Sequence, residues 1–363
     1  MAVFHALKIA EITRETADTV SILFEVPEDL RSTFRFTQGQ HLTVRALHGG
    51  QDIHRTYSIV SAAPDGELRI AVKKIEGGIF STLAHETLKP GDLIDVLPPS
   101  GRFFTALDPA QAKHYVAFAA GCGITPILSL LKTTLAIEPK SRFTLLYGNR
   151  TVQSILFLEE LAGLKNRFMG RLEIFHFLSR DDQETALLNG RIDRAKCEEI
   201  FSALLDPSDM DEVFLCGPAG LIQDVTDALK AHGVERRKIH QERFVSAAEA
   251  AALRQRQIEA QDAQDAQNSM LASRVTLVID GVRTDFDYAA HHGNILEAAL
   301  AAGAPAPFSC RSGVCCTCRA KILEGDVAML LNYNLGEDEV AAGYTLTCQS
   351  VPKAARVVLS FDD

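Results

Sequence analysis

Up to about residue 105 the chain consists of short runs in which apolar and polar residues alternate, separated by turn-forming residues. The clearest runs are 20–26, 41–46, 56–60 and 68–73. Alternation with a period of two is typical of strands that are buried on one face. Residues 78–87 favour a short covering helix. The pattern predicts an antiparallel β-barrel.

After residue 108 apolar strands alternate with amphipathic helices. We expect strands at 114–120, 142–147, 172–178, 212–216 and 238–244, and helices at 125–137, 154–166, 194–205 and 219–232. Strands and helices that alternate at this spacing form a parallel sheet covered on both faces. This part is therefore predicted to be an α/β domain.

The C-terminal part opens with a hairpin pattern. Val275, Leu277 and Ile279 alternate with polar residues and lead into Asp280-Gly281, a preferred two-residue hairpin turn. A helix is expected over 294–302. Together these elements predict a small sheet with one helix.

Length and composition divide the chain further. Its 363 residues exceed one ordinary core, since domains usually hold about 100 to 200 residues. The segment 245–272 is rich in Ala and Gln, lacks Gly and Pro and has few large apolar residues, which favours a partly helical linker. We predict domains over 1–107, 108–244 and 273–363, with this linker between the second and the third.

Charge and hydropathy narrow the range of partners. The net charge of −10 leaves no basic face that could bind the phosphates of a nucleic acid, so we expect no nucleic-acid partner. The longest apolar runs fall short of the roughly 20 residues that span a bilayer. The N-terminus also lacks the basic region of a signal peptide. We therefore expect no membrane partner, a cytoplasmic location, and cysteines present as thiols or metal ligands.

Four of the cysteines have the spacing of metal ligands. Cys310, Cys315 and Cys318 follow the pattern C-x4-C-x2-C, and Cys348 lies beyond a gap of 29 residues. This is the ligand spacing of plant-type [2Fe–2S] clusters. A zinc site is the alternative, but zinc sites usually use two C-x2-C pairs and this chain has one. Cys316 would break the spacing and is interpreted as a non-ligand.

Two short motifs in the predicted barrel suit a flavin. In Arg55-Thr56-Tyr57-Ser58 the guanidinium can neutralise a diphosphate, the phenol ring can stack on an isoalloxazine, and the Ser58 hydroxyl can hydrogen-bond near the reactive flavin nitrogen. In Gly77-Gly78-Ile79-Phe80-Ser81 the glycines open a helix. Its free N–H groups, together with Ser81, can receive a phosphate.

Two further motifs follow predicted strands of the α/β domain. Gly121-Cys122-Gly123-Ile124-Thr125-Pro126 joins a strand to a helix, where glycines allow a pyrophosphate to approach the helix N-terminus. Cys216-Gly217-Pro218 follows the fourth strand. Cys122 and Cys197 are interpreted as structural.

These motifs carry a family resemblance. Residues 274–363, with CRSGVCCTC and TLTCQS, resemble a plant-type ferredoxin, and the remainder resembles the ferredoxin-NADP reductase superfamily through R-x-Y-S, G-x-G-x-T-P and C-G-P. The resemblance implies a multidomain fold: a β-barrel flavin domain, an α/β nucleotide domain and an α+β, β-grasp ferredoxin domain. It implies bound FAD, with FMN left open, and catalytic roles for Ser58 at the flavin and Cys216 beside the nicotinamide.

The choice of coenzyme depends on the ends of the second and third strands of the α/β domain. The second ends in Tyr147-Gly148-Asn149-Arg150, without an acidic residue to hold a ribose diol, which favours NADPH. In related reductases, positions matching Ser179 and Arg180 contact the 2′-phosphate. Arg150 or Arg191 could assist.

The combination of cofactors predicts electron transfer. NADPH gives two electrons as hydride and a cluster accepts one, so a flavin must stand between them. The segments CRSGVCCTCRAKILEGDVAML, LYGNR, SILFLEEL and LNGRID resemble the reductase subunits of phenylacetyl-CoA epoxygenases, which are multicomponent di-iron monooxygenases. This implies a di-iron oxygenase partner. The alternatives are a reductase for a Rieske-type ring hydroxylase or demethylase, and a redox-sensing module without steady turnover.

Overall fold

The computed structural model describes residues 3–49, 51–244 and 273–362. The predicted linker over 245–272 lies outside the described residues. The chain forms two compact units, which are considered separately. One includes the described residues of 4–53 and 57–244, and the other includes those from 273 onward.

The N-terminal part is an antiparallel sheet, as its alternating pattern predicts. In the described residues its six strands lie in the order β4-β3-β6-β1-β2-β5. A bridge between Ile59 and Ile70 joins the end of β4 to β5, which closes the sheet. The helix α1 (Ile79–Glu86) packs Phe80 and Ala84 into the barrel core. The strands are β1 (His5–Thr16), β2 (Thr19–Glu25), β3 (His41–His48), β4 (Gln51–Ser58), β5 (Leu68–Lys73) and β6 (Leu93–Val96).

The next part is a parallel sheet with helices on both faces. Within the described part of 108–244, five strands lie in the order β11-β10-β7-β8-β9. Alternate residues of β7 enter opposite cores, Tyr115 with α2 and α3 and Val116 with α4 and α5. The strands are β7 (His114–Ala120), β8 (Arg142–Asn149), β9 (Leu172–Leu178), β10 (Glu212–Gly217) and β11 (Ile239–Arg243), and the helices are α2 (Ile124–Ile137), α3 (Leu158–Arg167), α4 (Arg194–Ala203) and α5 (Ala219–Ala231).

The barrel and the parallel sheet share contacts inside the first unit. Ser129 on α2 donates a hydrogen bond to the carbonyl of Ser61 at 2.7 Å. The rings of Phe103 and Phe214 meet edge to face, with centroids 5.4 Å apart. These contacts bring the carboxyl edge of the parallel sheet toward the end of β4.

The C-terminal unit is a small mixed sheet. Across residues 273–362, five strands lie in the order β13-β12-β18-β14-β16, with β12 parallel to β18. The predicted hairpin turn is present: Asp280 and Gly281 have φ of 51° and 73°, and Asp362 accepts both of their N–H groups. The elements are β12 (Ser273–Ile279), β13 (Val282–Tyr288), α6 (Ile295–Ala301), β14 (Arg319–Glu324), β15 (Val327–Met329), α7 (Glu337–Ala341), β16 (Tyr344–Leu346), β17 (Ser350–Pro352) and β18 (Arg356–Ser360).

No helix of the described residues is long and apolar enough to cross a lipid bilayer.

Candidate functional site

The four residues of the R-T-Y-S motif lie in sequence on β4. Arg55 is exposed and Thr56 is half-buried. The half-buried ring of Tyr57 lies 5.5 Å from the ring of Phe80 on α1, and Ser58 is buried. This alternation presents a ring and a hydroxyl near the end of one strand, which suits a flat, polar-edged ligand.

The glycine turn before α1 is held by its own serine. The buried Ser81 hydroxyl donates to the carbonyl of Gly78 and accepts the N–H of Ile75, both at 3.2 Å. A Cβ at Gly78 would overlap this hydroxyl. In this structure Ser81 therefore shapes the turn that the sequence pattern assigned to a phosphate.

The second glycine loop packs against the end of β10. Residues Gly121–Gly123 form one tight turn between β7 and α2, and a Cβ at Gly123 would overlap the backbone oxygen of Cys216. The two motifs predicted from separate parts of the sequence thus meet. Within the loop, Thr125 Oγ1 donates to the carbonyl of Cys122 at 2.9 Å, and Pro126 is buried in the first turn of α2.

A tyrosine that the sequence motifs did not single out supports this loop. The buried Tyr147 hydroxyl donates to the carbonyl of Gly121 at 3.0 Å and accepts the N–H of Leu156 at 3.3 Å. It therefore ties the loop after β7 to the segment after β8. Burial raises the pKa of Tyr147 above its ordinary value, which is already well above neutral, so the hydroxyl stays a hydrogen-bond donor.

Cys216 occupies the end of β10 with no exposed surface. Burial raises the pKa of its thiol, and the nearby Glu242 raises it further, so the group remains a neutral thiol. Gly217 has φ of 156°, and Leu221 Cδ2 and the Ala120 backbone nitrogen lie 3.2 and 3.3 Å from the position of an added Cβ. Pro218 then precedes α5.

Glu242 is a further residue that the sequence motifs did not single out. It lies on β11 opposite Cys216 in the strand register, and Ser58 Oγ donates to its Oε1 at 3.4 Å. Burial raises the pKa of Glu242 to about 7, while the hydrogen bond from Ser58 lowers it in part. The two residues predicted to be catalytic therefore lie on either side of one carboxyl group that titrates near neutrality. The only signal available in the sequence was its position in the last predicted strand of the parallel sheet.

The residues predicted to select the coenzyme lie together at the ends of β8 and β9. The backbone N–H of Ser179 donates to the carbonyl of Asn149 at 3.0 Å, and that of Arg180 to the carbonyl of Arg150 at 2.8 Å. Ser179 and both arginines are exposed, as is Arg191. Asp181 brings a carboxylate to the same place, where it accepts the N–H of Val152 at 2.8 Å. Asp181 directly follows Arg180 in the sequence, but its contact with the segment after β8 is visible only in the fold.

The four predicted cluster ligands form two pairs in the second unit. Cys310 and Cys315 are joined by a side-chain hydrogen bond, which lowers the pKa of Cys310 and raises that of Cys315. A corresponding bond to Cys348 raises the pKa of Cys318. Among the described residues, no group of three or more His, Cys, Asp or Glu side chains is arranged to hold a single metal ion. Two thiol pairs instead fit a two-iron cluster, in which each iron takes two protein ligands.

Backbone groups of the ligand loop also point at the sulfurs. The N–H groups of Ser312 and Cys315 donate to Cys310 Sγ at 3.4 and 3.3 Å. Gly313 has φ of 74°, which lets the loop turn as predicted. Cys316 donates weakly to the carbonyl of Val314 at 3.9 Å, within its own loop. The backbone donors to Cys310 Sγ suit the anionic sulfurs of a bound cluster.

Three family models match the chain in sequence. The oxidoreductase FAD-binding domain matches residues 6–105, the oxidoreductase NAD-binding domain 118–227, and the 2Fe-2S iron-sulfur cluster binding domain 277–353. The chain belongs to the family of flavin-dependent reductases that carry a nucleotide domain and a plant-type [2Fe–2S] ferredoxin domain on one polypeptide. The predicted fold class, FAD, the [2Fe–2S] cluster and a pyridine nucleotide are thereby confirmed.

Individual relatives narrow the comparison. The chain is 42% identical over 362 residues to one of the subunits of 1,2-phenylacetyl-CoA epoxidase from Escherichia coli (strain K12), covering 100% of this chain and 99% of that one. It is 31% identical to the ferredoxin reductase component of 3-ketosteroid-9-alpha-monooxygenase from Rhodococcus rhodochrous, covering 98% and 96%. The structure of phthalate dioxygenase reductase has the same fold, with a TM-score of 0.58 at 24% identity, covering 99% and 98%.

Proposed function

We propose that the chain is the reductase of a multicomponent oxygenase, which passes electrons from NADPH through FAD and a [2Fe–2S] cluster to a di-iron oxygenase partner. The proposed partner is the phenylacetyl-CoA 1,2-epoxidase of phenylacetate degradation, in the cytoplasm. The observation that carries this proposal is the 42% identity to a protein of the 1,2-phenylacetyl-CoA epoxidase over its full length. The proposal keeps the predicted division into domains over 1–107, 108–244 and 273–363.

The flavin and nicotinamide functions are assigned to the carboxyl edge of the parallel sheet and the end of β4. Ser58 and Cys216 are the proposed catalytic residues, and the Ser58–Glu242 hydrogen bond beside Cys216 supports this pairing. Bound FAD supplies the conversion between two-electron and one-electron transfer. The residues proposed to hold FAD are Arg55, Thr56, Tyr57, Ser58, Gly78 and Ser81.

The nucleotide is proposed to follow the glycine loop and the exposed ends of β8 and β9. The tight approach of Gly123 to β10 and the N-terminus of α2, which no side chain caps, support a pyrophosphate there. The exposed guanidinium groups support NADPH, because Arg binds phosphate in bidentate fashion. The residues proposed to bind the nucleotide are Gly121, Gly123, Thr125, Pro126, Arg150, Ser179, Arg180, Gly217 and Pro218.

The cluster is proposed to be bound by the thiol pairs Cys310/Cys315 and Cys318/Cys348. The electron path then ends in the ferredoxin domain, which is the part of the chain suited to donate single electrons to a protein partner.

Reconstitution tests this function directly. The purified chain, with FAD and cluster, is mixed with candidate oxygenase subunits of the epoxidase and phenylacetyl-CoA, and NADPH consumption is measured against epoxide formed. We expect coupled turnover with NADPH, and a higher kcat/KM for NADPH than for NADH. Uncoupled NADPH oxidation without epoxide would contradict the assigned partner, and a preference for NADH would contradict the assigned coenzyme.

A second candidate is the reductase of a different monooxygenase. It is favoured by the near full-length match, at 31% identity, to the 3-ketosteroid-9-alpha-monooxygenase reductase component. A Rieske-type oxygenase in place of the epoxidase components, in the same assay, distinguishes the two.

A further inference from the structure

A buried glutamine links the fourth cluster cysteine to the loop that carries the other three. Gln349 directly follows Cys348 and has no exposed surface. Its side-chain nitrogen donates to Cys348 Sγ at 3.4 Å and to the carbonyl of Arg311 at 3.2 Å. A primary amide has two N–H donors, so one side chain can make both bonds at once.

The loop residue that accepts this bond has an unusual backbone. Arg311 has φ of 54°, in the left-handed region that non-glycine residues rarely occupy. Close by, a Cβ at Gly313 would lie 3.1 Å from Gln349 Cγ and 3.2 Å from the carbonyl oxygen of Leu331. The side chain of Gln349 therefore packs against the ligand loop at Gly313 and donates a hydrogen bond to the carbonyl of Arg311 in the same loop.

The hydrogen bonds to the sulfurs come from two kinds of donor. In the described residues, Cys310 accepts from backbone N–H groups, which substitution of a side chain does not remove. Cys315 accepts from the backbone N–H of Cys310 and also from the side chain of Thr317. Cys348 accepts from the side chain of Gln349. This donor can therefore be altered while the backbone and the four cysteines are kept.

We propose that Gln349 is a positioning residue that sets the reduction potential of the cluster, through its hydrogen bond to Cys348 and its hold on the loop at Arg311. The proposal rests on the proposed function, specifically on the cysteine ligands. Reduction adds negative charge to the cluster and its thiolates, and an N–H donor stabilises that added charge more than it stabilises the oxidised state. The amide of Gln349 therefore raises the potential.

The test compares Gln349→Met with the wild-type full chain containing FAD and cluster. Methionine has a similar length and lacks the amide donors. We expect unchanged iron and flavin content, and an equilibrium constant for cluster reduction about tenfold lower, which is a shift of about 59 mV to more negative potential for a one-electron couple. Redox titration followed by electron paramagnetic resonance measures it. Gln241→Met is the matched control, because Gln241 bonds to Thr226 in the other unit, and its cluster potential should equal that of the wild type.

A fully loaded Gln349→Met protein with wild-type potential would overturn the proposal. Pulsed electron paramagnetic resonance of the reduced wild-type chain, labelled with ¹⁵N in glutamine side chains, gives a test that needs no variant. A coupling from an amide nitrogen is expected, and its absence would also overturn the proposal. If the wild-type chain itself carried no iron, the ligand assignment under the proposed function would fail instead.

Discussion

Replacing Glu242 by Gln should remove a titratable group that affects the rate at which NADPH reduces the flavin. Burial raises the pKa of Glu242 from 4.5 to about 7, so the carboxyl is mostly neutral at pH 6 and mostly charged at pH 8. Its partner Ser58 is the residue assigned to the reactive edge of the flavin. Hydride transfer adds negative charge there, and a carboxylate alongside opposes it. Flavin reduction should therefore slow as the pH rises through about 7.

The size of the effect follows from the displaced pKa. A displacement from 4.5 to about 7 corresponds to about 3 kcal/mol of unfavourable free energy for ionising Glu242 in the folded chain. Because the folded state holds this proton more tightly than the unfolded state, the free energy of unfolding falls as the pH rises from 4.5 to about 7, by at most that amount. The Glu242→Gln variant lacks this loss, so its gain in stability over the wild type should be small at pH 5 and largest above pH 7.

Anaerobic stopped-flow mixing with NADPH between pH 6 and pH 8 measures the kinetic part. Wild type should show an inflection near 7, and Glu242→Gln a flat profile at the faster, low-pH rate. Glu212→Gln is the control, because Glu212 is a carboxylate of the same sheet whose pKa is lowered, with hydrogen bonds from His240 and Lys113 outweighing its burial. An inflection near 7 that survives in Glu242→Gln would refute the assignment of this proton to Glu242.

Three further tests, two of them with a control variant, address the remaining assignments. Cys310→Ser should abolish the visible absorption and iron of the cluster while FAD remains, whereas Cys316→Ser should keep both; equal loss in the two would contradict the ligand spacing. Arg180→Ala should raise the KM for NADPH about tenfold or more and leave the KM for NADH nearly unchanged, since a charge-assisted hydrogen bond contributes about 1.5–3 kcal/mol. An equal effect on both coenzymes would contradict the assignment of Arg180 to the 2′-phosphate site. Gly123→Ala should impair NADPH binding, measured by flavin reduction kinetics, because its Cβ would overlap the backbone of β10. Gly163→Ala on α3 is the control, because its Cβ meets open space, and it should leave stability unchanged or raise it by about 1 kcal/mol. Normal NADPH binding by Gly123→Ala would contradict the close packing.

Local patterns in the sequence were sufficient for the secondary-structure elements and the cluster ligands, whereas FAD followed from the family resemblance. The period of two before residue 105 and the strand–helix alternation after 108 report burial on one face or both, which is a property of neighbouring residues. The cysteine spacing is equally local for three ligands, since they share one loop. For these features, nearby side chains carry the information.

Contacts between distant segments were decided by tertiary packing alone. Ser58 and Glu242 are 184 residues apart, and their hydrogen bond exists because the end of β4 meets β11 across two different sheets. The raised pKa of Glu242 then comes from burial, which no local pattern of the sequence reports. In the same way, the sequence around Gln349 does not indicate its hydrogen bond to the carbonyl of Arg311, which forms only when the ligand loop packs over it. Residue types and spacing name the cofactors, but the environment that tunes them arises only when remote segments exclude water together.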